Sequence, residues 1–372
     1  MENNRIWKAW AIISTCLLVL VSCLYATGVG YRDKKPEEPV AETVDGPMPE
    51  EEISWLSLWE EDAQAKKSLE EYVKDVTDPA SANFIPEEDR IAVFDLDGTL
   101  LCETDPTYFD HMLYMHRVLE DPDYQASEFE LEVAQKIQES IDSGSYPKEL
   151  YKLHGQAVAT AFAGMTIEEF YDYIDEYADT PSPGYNKLNR GDAFYLPMVE
   201  VVDYLQDNDF KVYIVSGTDR LIVRGAFRGL SFLNIPPNQI IGSDELLVSD
   251  AQGEKDGLDY SFQKDDELIL AGEFLLKNLT TNKVTVIAQE IGKQPVLAFG
   301  NSSSDFAMAT YTTSKNPYRS MGFMLCCDDL VRENGNEKKA ANMVKSCEEN
   351  GWIPISMKND WTTIYGDEVT RK

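Results

Sequence analysis

The 372-residue sequence predicts an α/β fold: a doubly wound, mostly parallel Rossmann-like sheet with an inserted α-helical cap domain. Two observations carry that expectation. Short apolar runs alternate with helical stretches along most of the chain, the pattern of strands that return parallel through helical crossovers. One long segment, 104–195, interrupts the alternation with several helical stretches and no strong strand pattern.

Taken in order, helical periodicity from Ile53 to Val76 puts Trp55, Leu58, Trp59, Leu69, Tyr72 and Val73 near one face, where core packing is their reading. A strand follows at Ile91-Ala92-Val93-Phe94. Beyond the helical segment, strand signals resume at Lys211–Val215, Gln239–Gly242, Val296–Phe299, Gly322–Cys326 and Ile353–Ser356, with helices at Met198–Gln206 and Lys283–Ile291. The polar stretch Ser249–Asp266 reads as a hairpin excursion, and no internal repeat is present. The core domain is thus 53–103 with 196–372, and the cap is 104–195.

Arg5 and Lys8 precede an uncharged, mostly apolar run from Ala9 to Tyr31, so residues 1–31 read as a signal sequence or membrane anchor. Leu20-Val21-Ser22-Cys23 has the form of a bacterial lipoprotein cleavage site, whereas the continuation to Gly30 is long enough for an uncleaved anchor. Both versions stay open. Residues 32–52, Pro-rich and acidic, bury too little to fold and read as a tether. The expected location is the outer face of a bacterial membrane. A formal net charge of −33 excludes nucleic acid and adhesion to anionic lipid, leaving membrane contact to the N-terminal segment, and no protein partner is evident. Cys102, Cys326, Cys327 and Cys347 form no Cys-x-x-Cys pair and only three histidines are present, which argues against zinc. Export permits a disulfide from Cys347 to Cys326 or Cys327, but the spacing does not establish one.

The chemistry begins where the first strand stops, at Asp95-Leu96-Asp97-Gly98-Thr99. Side chains two apart on a strand point the same way, and C-terminal strand ends of a parallel sheet open onto the ligand crevice. Two carboxylates facing one pocket predict a hard cation such as Mg²⁺ or acid/base work. An ordinary turn, or a calcium loop, also contains Asp-x-Asp-Gly. A preceding strand, and no Glu at the loop position required, argue against calcium.

Two further strands end in the same manner. Val212-Tyr213-Ile214-Val215 runs into Ser216-Gly217-Thr218, where the Ser216 hydroxyl and the bare backbone at Gly217 suit a phosphoryl oxygen, although a plain helix cap is the competing reading. Val296-Leu297-Ala298-Phe299 runs into Gly300-Asn301-Ser302-Ser303-Ser304-Asp305. Asp95, the main-chain carbonyl of Asp97, Asp305, Asn301 and water would make an oxygen set for Mg²⁺. Lys283 can reach back towards the pocket, with Lys277 as its competitor.

These strands, ending in Asp-x-Asp-Gly-Thr, Ser-Gly-Thr and Gly-Asn-x-x-x-Asp with a lysine before the last, resemble the four motifs of the haloacid dehalogenase superfamily. The chain looks most like its phosphoserine phosphatase-like branch, whose helical cap is inserted after the first motif. The likeness runs from about residue 53 onward and includes Tyr195-Leu196-Pro197-Met198, Ile235-Pro236-Pro237 and Gly351-Trp352. It implies that Asp95 attacks phosphorus to form an aspartyl-phosphate, that Asp97 is the acid/base, and that Ser216, Gly217 and Lys283 bind phosphate. It also implies Mg²⁺ held by Asp95, Asp97, Asp305 and Asn301. Many relatives carry Asp at the position of Asn301, and Glu103 lies near the place of a substrate-sensing acid.

The expectation is therefore a Mg²⁺-dependent phosphomonoesterase acting on a small ester such as phosphoserine. Asp97 speaks against a dehalogenase, which would need neither a second aspartate nor a metal. A phosphomutase or phosphotransferase of the same fold, or a non-catalytic surface-anchored binding protein, are the alternatives. Selectivity is assigned to the segment from Thr104 to Tyr195, where His111, His116 and His154 are read as structural or exposed rather than catalytic.

Overall fold

The computed structural model of the protein describes residues 55–372; the signal or anchor segment 1–31 and the linker 32–52 lie outside the described residues. Among the described residues, no helix is long and apolar enough to cross a membrane. Helix α1 (Gln64–Thr77) buries Leu69, Tyr72, Val73 and Val76 and leads to strand β1 (Ile91–Phe94), in which every residue is buried. Burial on both faces is what the continuous apolar run Ile-Ala-Val-Phe requires, since alternation would expose one side.

Between β1 and the next sheet strand the chain forms four helices, α2 (Phe109–Leu119), α3 (Glu128–Ser143), α4 (Lys148–Ala161) and α5 (Ile167–Ala178), and the two-residue strand β2 (Tyr185–Asn186). Their boundaries follow local chemistry. Ser127 and Thr166 each close a capping box with the glutamate three residues on, and Gly144 ends α3 in the left-handed conformation (φ 65°).

Helix α6 (Leu196–Asp207) returns the chain to β3 (Lys211–Asp219), and α7 (Arg220–Ala226) leads to β4 (Ile240–Ser249) and β5 (Leu268–Leu276). Then come α8 (Thr281–Val286) with a π-helical turn at Ile287–Ile291, β6 (Leu297–Gly300), α9 (Phe306–Thr313), β7 (Met321–Cys326), α10 (Glu337–Asn350), β8 (Ile353–Ser356) and β9 (Thr370–Arg371), which pairs with β2. The seven-stranded sheet has the order β5-β4-β3-β1-β6-β7-β8, parallel throughout except for the β4/β5 pair. This is the α/β Rossmann-like sheet that the alternation of runs implies.

Strand order reverses at β1: the chain steps outward through β3, β4 and β5, then returns to fill the other side from β6 to β8. Such a switch point leaves a crevice at the C-terminal strand edge. A ladder of stacked rings fixes the register across it, with Phe94 on Phe299 at 4.2 Å and Phe299 on Phe323 at 5.0 Å.

One local expectation is corrected and another is extended. The segment from Trp55 to Asp62 forms turns and an isolated bridge between Trp59 and Trp361, and helix begins only at Gln64. Tertiary partners take its backbone donors: the Glu200 carboxylate accepts from Ser57 N (3.1 Å) and Leu58 N (2.9 Å), while Leu56 has a positive φ of 59°. Trp59 is nonetheless buried, its indole N–H donating to Pro197 O at 2.9 Å. Secondly, the excursion around 249–266 is flanked by long antiparallel strands, because β4 continues to Ser249 and β5 spans nine residues. Strand β5 also meets the inserted helices: Gly164 N donates to Leu270 O at 2.8 Å and Leu270 N to Met165 O at 2.9 Å. Those bonds lie far apart in sequence, so periodicity alone does not reveal them.

Candidate active site

Asp95 is the first residue past β1, and its N–H continues the ladder to Phe299 O at 2.9 Å. Its carboxylate Oδ1 accepts from Lys283 Nζ at 2.5 Å, and the same ammonium donates to Asp305 Oδ1 at 2.7 Å. Lys283 is fully buried. An ammonium there is tolerated because two carboxylates flank it; their field outweighs burial, which on its own disfavours the charged form, and raises its pKa. Burial, reinforced by the neighbouring Asp305, pushes Asp95 up to about 7 despite Lys283.

Asp97 faces the same cavity of about 120 Å³ as Asp95. Thr218 Oγ1 donates to Asp97 Oδ2 at 2.7 Å, while Asp97 Oδ1 is buried without a partner. Its carboxyl is raised well above the ordinary range, chiefly by burial and then by the charges of Asp110 and Asp95. Two carboxyls in one buried cavity, each pushed towards its neutral form by burial and by neighbouring carboxylate charge, resist being ionised together.

The turn after Asp97 is tight: Gly98 N donates to Leu101 O at 2.6 Å, and the N–H groups of Thr99, Leu100 and Leu101 converge on Leu96 O. Gly98 has φ +77°, and a Cβ there would sit 1.8 Å from Asn301 Nδ2 and 2.7 Å from Glu103 Cδ. Gly98→Ala is therefore expected to lose roughly 1–3 kcal/mol of stability from backbone strain alone and to displace Asn301, read by denaturant unfolding. Unchanged stability would contradict the close approach.

The third strand end is organised around Asp305, which is fully buried. Its Oδ2 accepts from Asn301 N (3.2 Å), Ser302 N (3.0 Å) and Ser302 Oγ (3.1 Å), and its Oδ1 from Lys283. Both oxygens of Asp305 are thus committed within the protein, and Asp305 is not part of the cavity wall. It shapes the 301–305 loop and anchors Lys283. Asn301 does line the cavity.

The phosphate-binding expectations are partly redistributed. Gly217 lines the cavity, joined by Thr218, but Ser216 is fully buried beneath it, its Oγ accepting from Thr218 N at 3.0 Å. Ser216 supports the turn; it does not face the cavity. Lys277 lines the cavity while Lys283 lies behind Asp95, so both lysines are present in different places.

Sequence reasoning named none of Thr218, Tyr108, Asp110 or Tyr151 as part of this wall, and it set His111 aside. For Thr218 the signal was present, a hydroxyl completing Ser-Gly-Thr at the strand end. The others sit on or beside the inserted helices, where a helical pattern gives no hint of what they meet. Asp110, His111 and His154 are buried, with ligand atoms within 4.8 Å of one another. His111 Nδ1–H donates to Asp110 Oδ1 at 2.7 Å and its Nε2 is 2.5 Å from Tyr146 OH. The His111 and His154 rings stack at 4.0 Å with planes 7° apart. Imidazole lone pairs lie in the ring plane, so two stacked rings cannot both aim at one ion; this cluster is a packed wall. His154, with its pKa lowered by burial and by His111, is neutral. His116 pairs with Glu120 at 3.0 Å in an exposed setting.

The oxygen-rich donor set, the orphaned Asp97 Oδ1 and the bare Cα of Gly98 beneath Asn301 and Glu103 fit a small hard cation such as Mg²⁺. Among solved structures, the chain resembles a conserved protein of unknown function from Anaerococcus prevotii (13% identity, 78% of this chain and 91% of that one, TM-score 0.48). It also resembles a cytosolic 5'-nucleotidase IIIB bound to cytidine (14%, 80% and 86%, TM-score 0.47) and a phosphoserine phosphohydrolase-like protein from Francisella tularensis (14%, 68% and 92%, TM-score 0.38). No curated protein matches. The haloacid dehalogenase-like hydrolase family matches residues 92–310, which span every strand end that contributes to the cavity, and the chain belongs to that family.

Proposed function

We propose that the protein is a Mg²⁺-dependent phosphomonoesterase that hydrolyses small phosphate esters through an aspartyl-phosphate. The observation that carries this reading is the pairing of Asp95, held by the buried Lys283, with Asp97, whose free oxygen is orphaned beside the same cavity. Asp95 would attack phosphorus as the bond to the leaving oxygen breaks, and Asp97 would pass its proton to that oxygen. Asp97, then ionised, would take a proton from the water that cleaves the acyl-phosphate, which returns Asp95 and frees inorganic phosphate. Lys277 and the backbone at Gly217 border the space in which the phosphoryl oxygens would lie. Asp95, the main-chain carbonyl of Asp97 and Asn301 would hold Mg²⁺, whose charge lets an anionic nucleophile approach an anionic ester.

Phosphate release from p-nitrophenyl phosphate and phosphoserine, with and without Mg²⁺, tests the reading. Chelation with EDTA is expected to abolish turnover and added Mg²⁺ to restore it; full activity in EDTA would overturn the metal requirement. Asp97→Asn is expected to lower kcat by about 10²–10⁴ on an ester with a poor leaving group. The loss should shrink for p-nitrophenol, which leaves without a proton; an equal loss on both esters would count against Asp97 as the acid. Transfer of phosphate to an added alcohol in preference to water would favour a phosphotransferase. The N-terminal segment supports a location on the outer face of a bacterial membrane, checked by fractionating wild-type and Cys23→Ala cells.

A further inference from the structure

At the third strand end the cavity is bordered by the neutral Asn301, and Asp305 is committed elsewhere. Asp95 is then left as the one direct carboxylate, and its charge is already shared with Lys283. Four carboxylates line the cavity: Asp95, Asp97, Glu103 and Asp110. Thr218 holds Asp97 and His111 holds Asp110. Glu103 remains.

Its position follows from the turn. The converging bonds onto Leu96 O fold the chain back on itself, and Cys102 N then pairs with Ala193 O at 2.9 Å, so residue 103 emerges beside residue 98. The Glu103 and Asn301 side chains meet over the bare Cα of Gly98, one with its Cδ 2.7 Å and the other with its Nδ2 1.8 Å from where a Cβ would be. The orphaned, more than nine-tenths buried Asp97 side chain borders the same cavity and marks it as a place that awaits a ligand.

We propose that Glu103 supplies the second metal-binding carboxylate of this site, from the first loop and beside the neutral Asn301. This rests on the reading of the site as a Mg²⁺ centre. The physical reason is charge: Mg²⁺ is held by one or two carboxylates with water and neutral oxygens, and an aspartate-plus-asparagine set beside a lysine is poor in charge. With Glu103 in the set, two anions face the ion, and the Asn301 amide lies beside the Glu103 carboxyl over Gly98.

The test is divalent-ion binding on the full chain, by calorimetry with Mg²⁺ and by electron paramagnetic resonance with Mn²⁺. Glu103→Gln is expected to bind Mg²⁺ about 10- to 100-fold more weakly. The double variant Glu103→Gln/Asn301→Asp, which moves the carboxylate to the third strand end, should recover most of that loss. Unchanged affinity in Glu103→Gln with a raised KM would overturn the proposal and assign Glu103 to the leaving group. A double variant as weak as Glu103→Gln would also overturn it. Wild-type protein that binds neither ion would instead overturn the Mg²⁺ reading on which the proposal stands.

Discussion

Asp95→Asn is expected to abolish phosphate release, with kcat falling by roughly four to six orders of magnitude, the scale on which removal of a covalent nucleophile acts. An amide in that position keeps the shape and loses both the negative charge and the nucleophilic oxygen pair. It also exchanges an ion pair with Lys283 for a neutral contact, so Lys283 and Asp305 are left as a simple pair that remains balanced. The folded state should therefore survive, and the loss is chemical rather than structural. Rapid quenching of the wild type with a labelled ester should trap phosphate on the chain, and none should be trapped on Asp95→Asn. Substantial turnover by the variant would remove Asp95 from the mechanism.

Lys283→Met is expected to do damage of a different kind. Removing one partner of a buried ion pair leaves the remaining charge uncompensated, at a cost of about 3–5 kcal/mol. Here two carboxylates, Asp95 and Asp305, would lose their common cation at once. Two outcomes follow together: stability falls by that amount in urea unfolding, and activity falls because Asp95 takes up a proton and ceases to be a nucleophile. The sign is set by burial and by Asp305, which already hold Asp95 near 7 with Lys283 in place; without it the carboxyl rises further. Lys283→Met/Asp305→Asn, which deletes one of the orphaned charges, should recover part of the stability but not the activity. Wild-type stability in Lys283→Met would show that the triad is not the structural clamp its geometry describes.

Much of this is legible in the sequence alone. Apolar runs that stop at carboxylates gave the location of the cavity, because a strand buried on both faces has nowhere else to put a charge than its end. Asp95, Asp97, Gly217 and Asn301 were found in that way. The placement of Ser216 and Asp305 was not, since a strand-end position does not say whether a side chain turns into the cavity or into the loop beneath it. That choice is made by partners: Thr218 N turns Ser216 inward, and Lys283 with the N–H groups of Asn301 and Ser302 turns Asp305 inward. Asp110 and His111 were out of reach for a related reason. Helical periodicity marks a buried face, but not the neighbour against which that face is buried.

Strand β5 joins two parts of the molecule that sequence order keeps separate. At Leu270 both its N–H and its C=O are bonded to the turn between α4 and α5, and a few residues later the chain runs through Lys277, in the cavity wall, to Lys283 beneath Asp95. A swing of the inserted helices away from the sheet must either break the bonds at Gly164 and Met165 or drag β5 with it. The far end of this run of chain is the counter-ion of Asp95. One short stretch of chain thus carries both the bonds to the inserted helices and the counter-ion of Asp95.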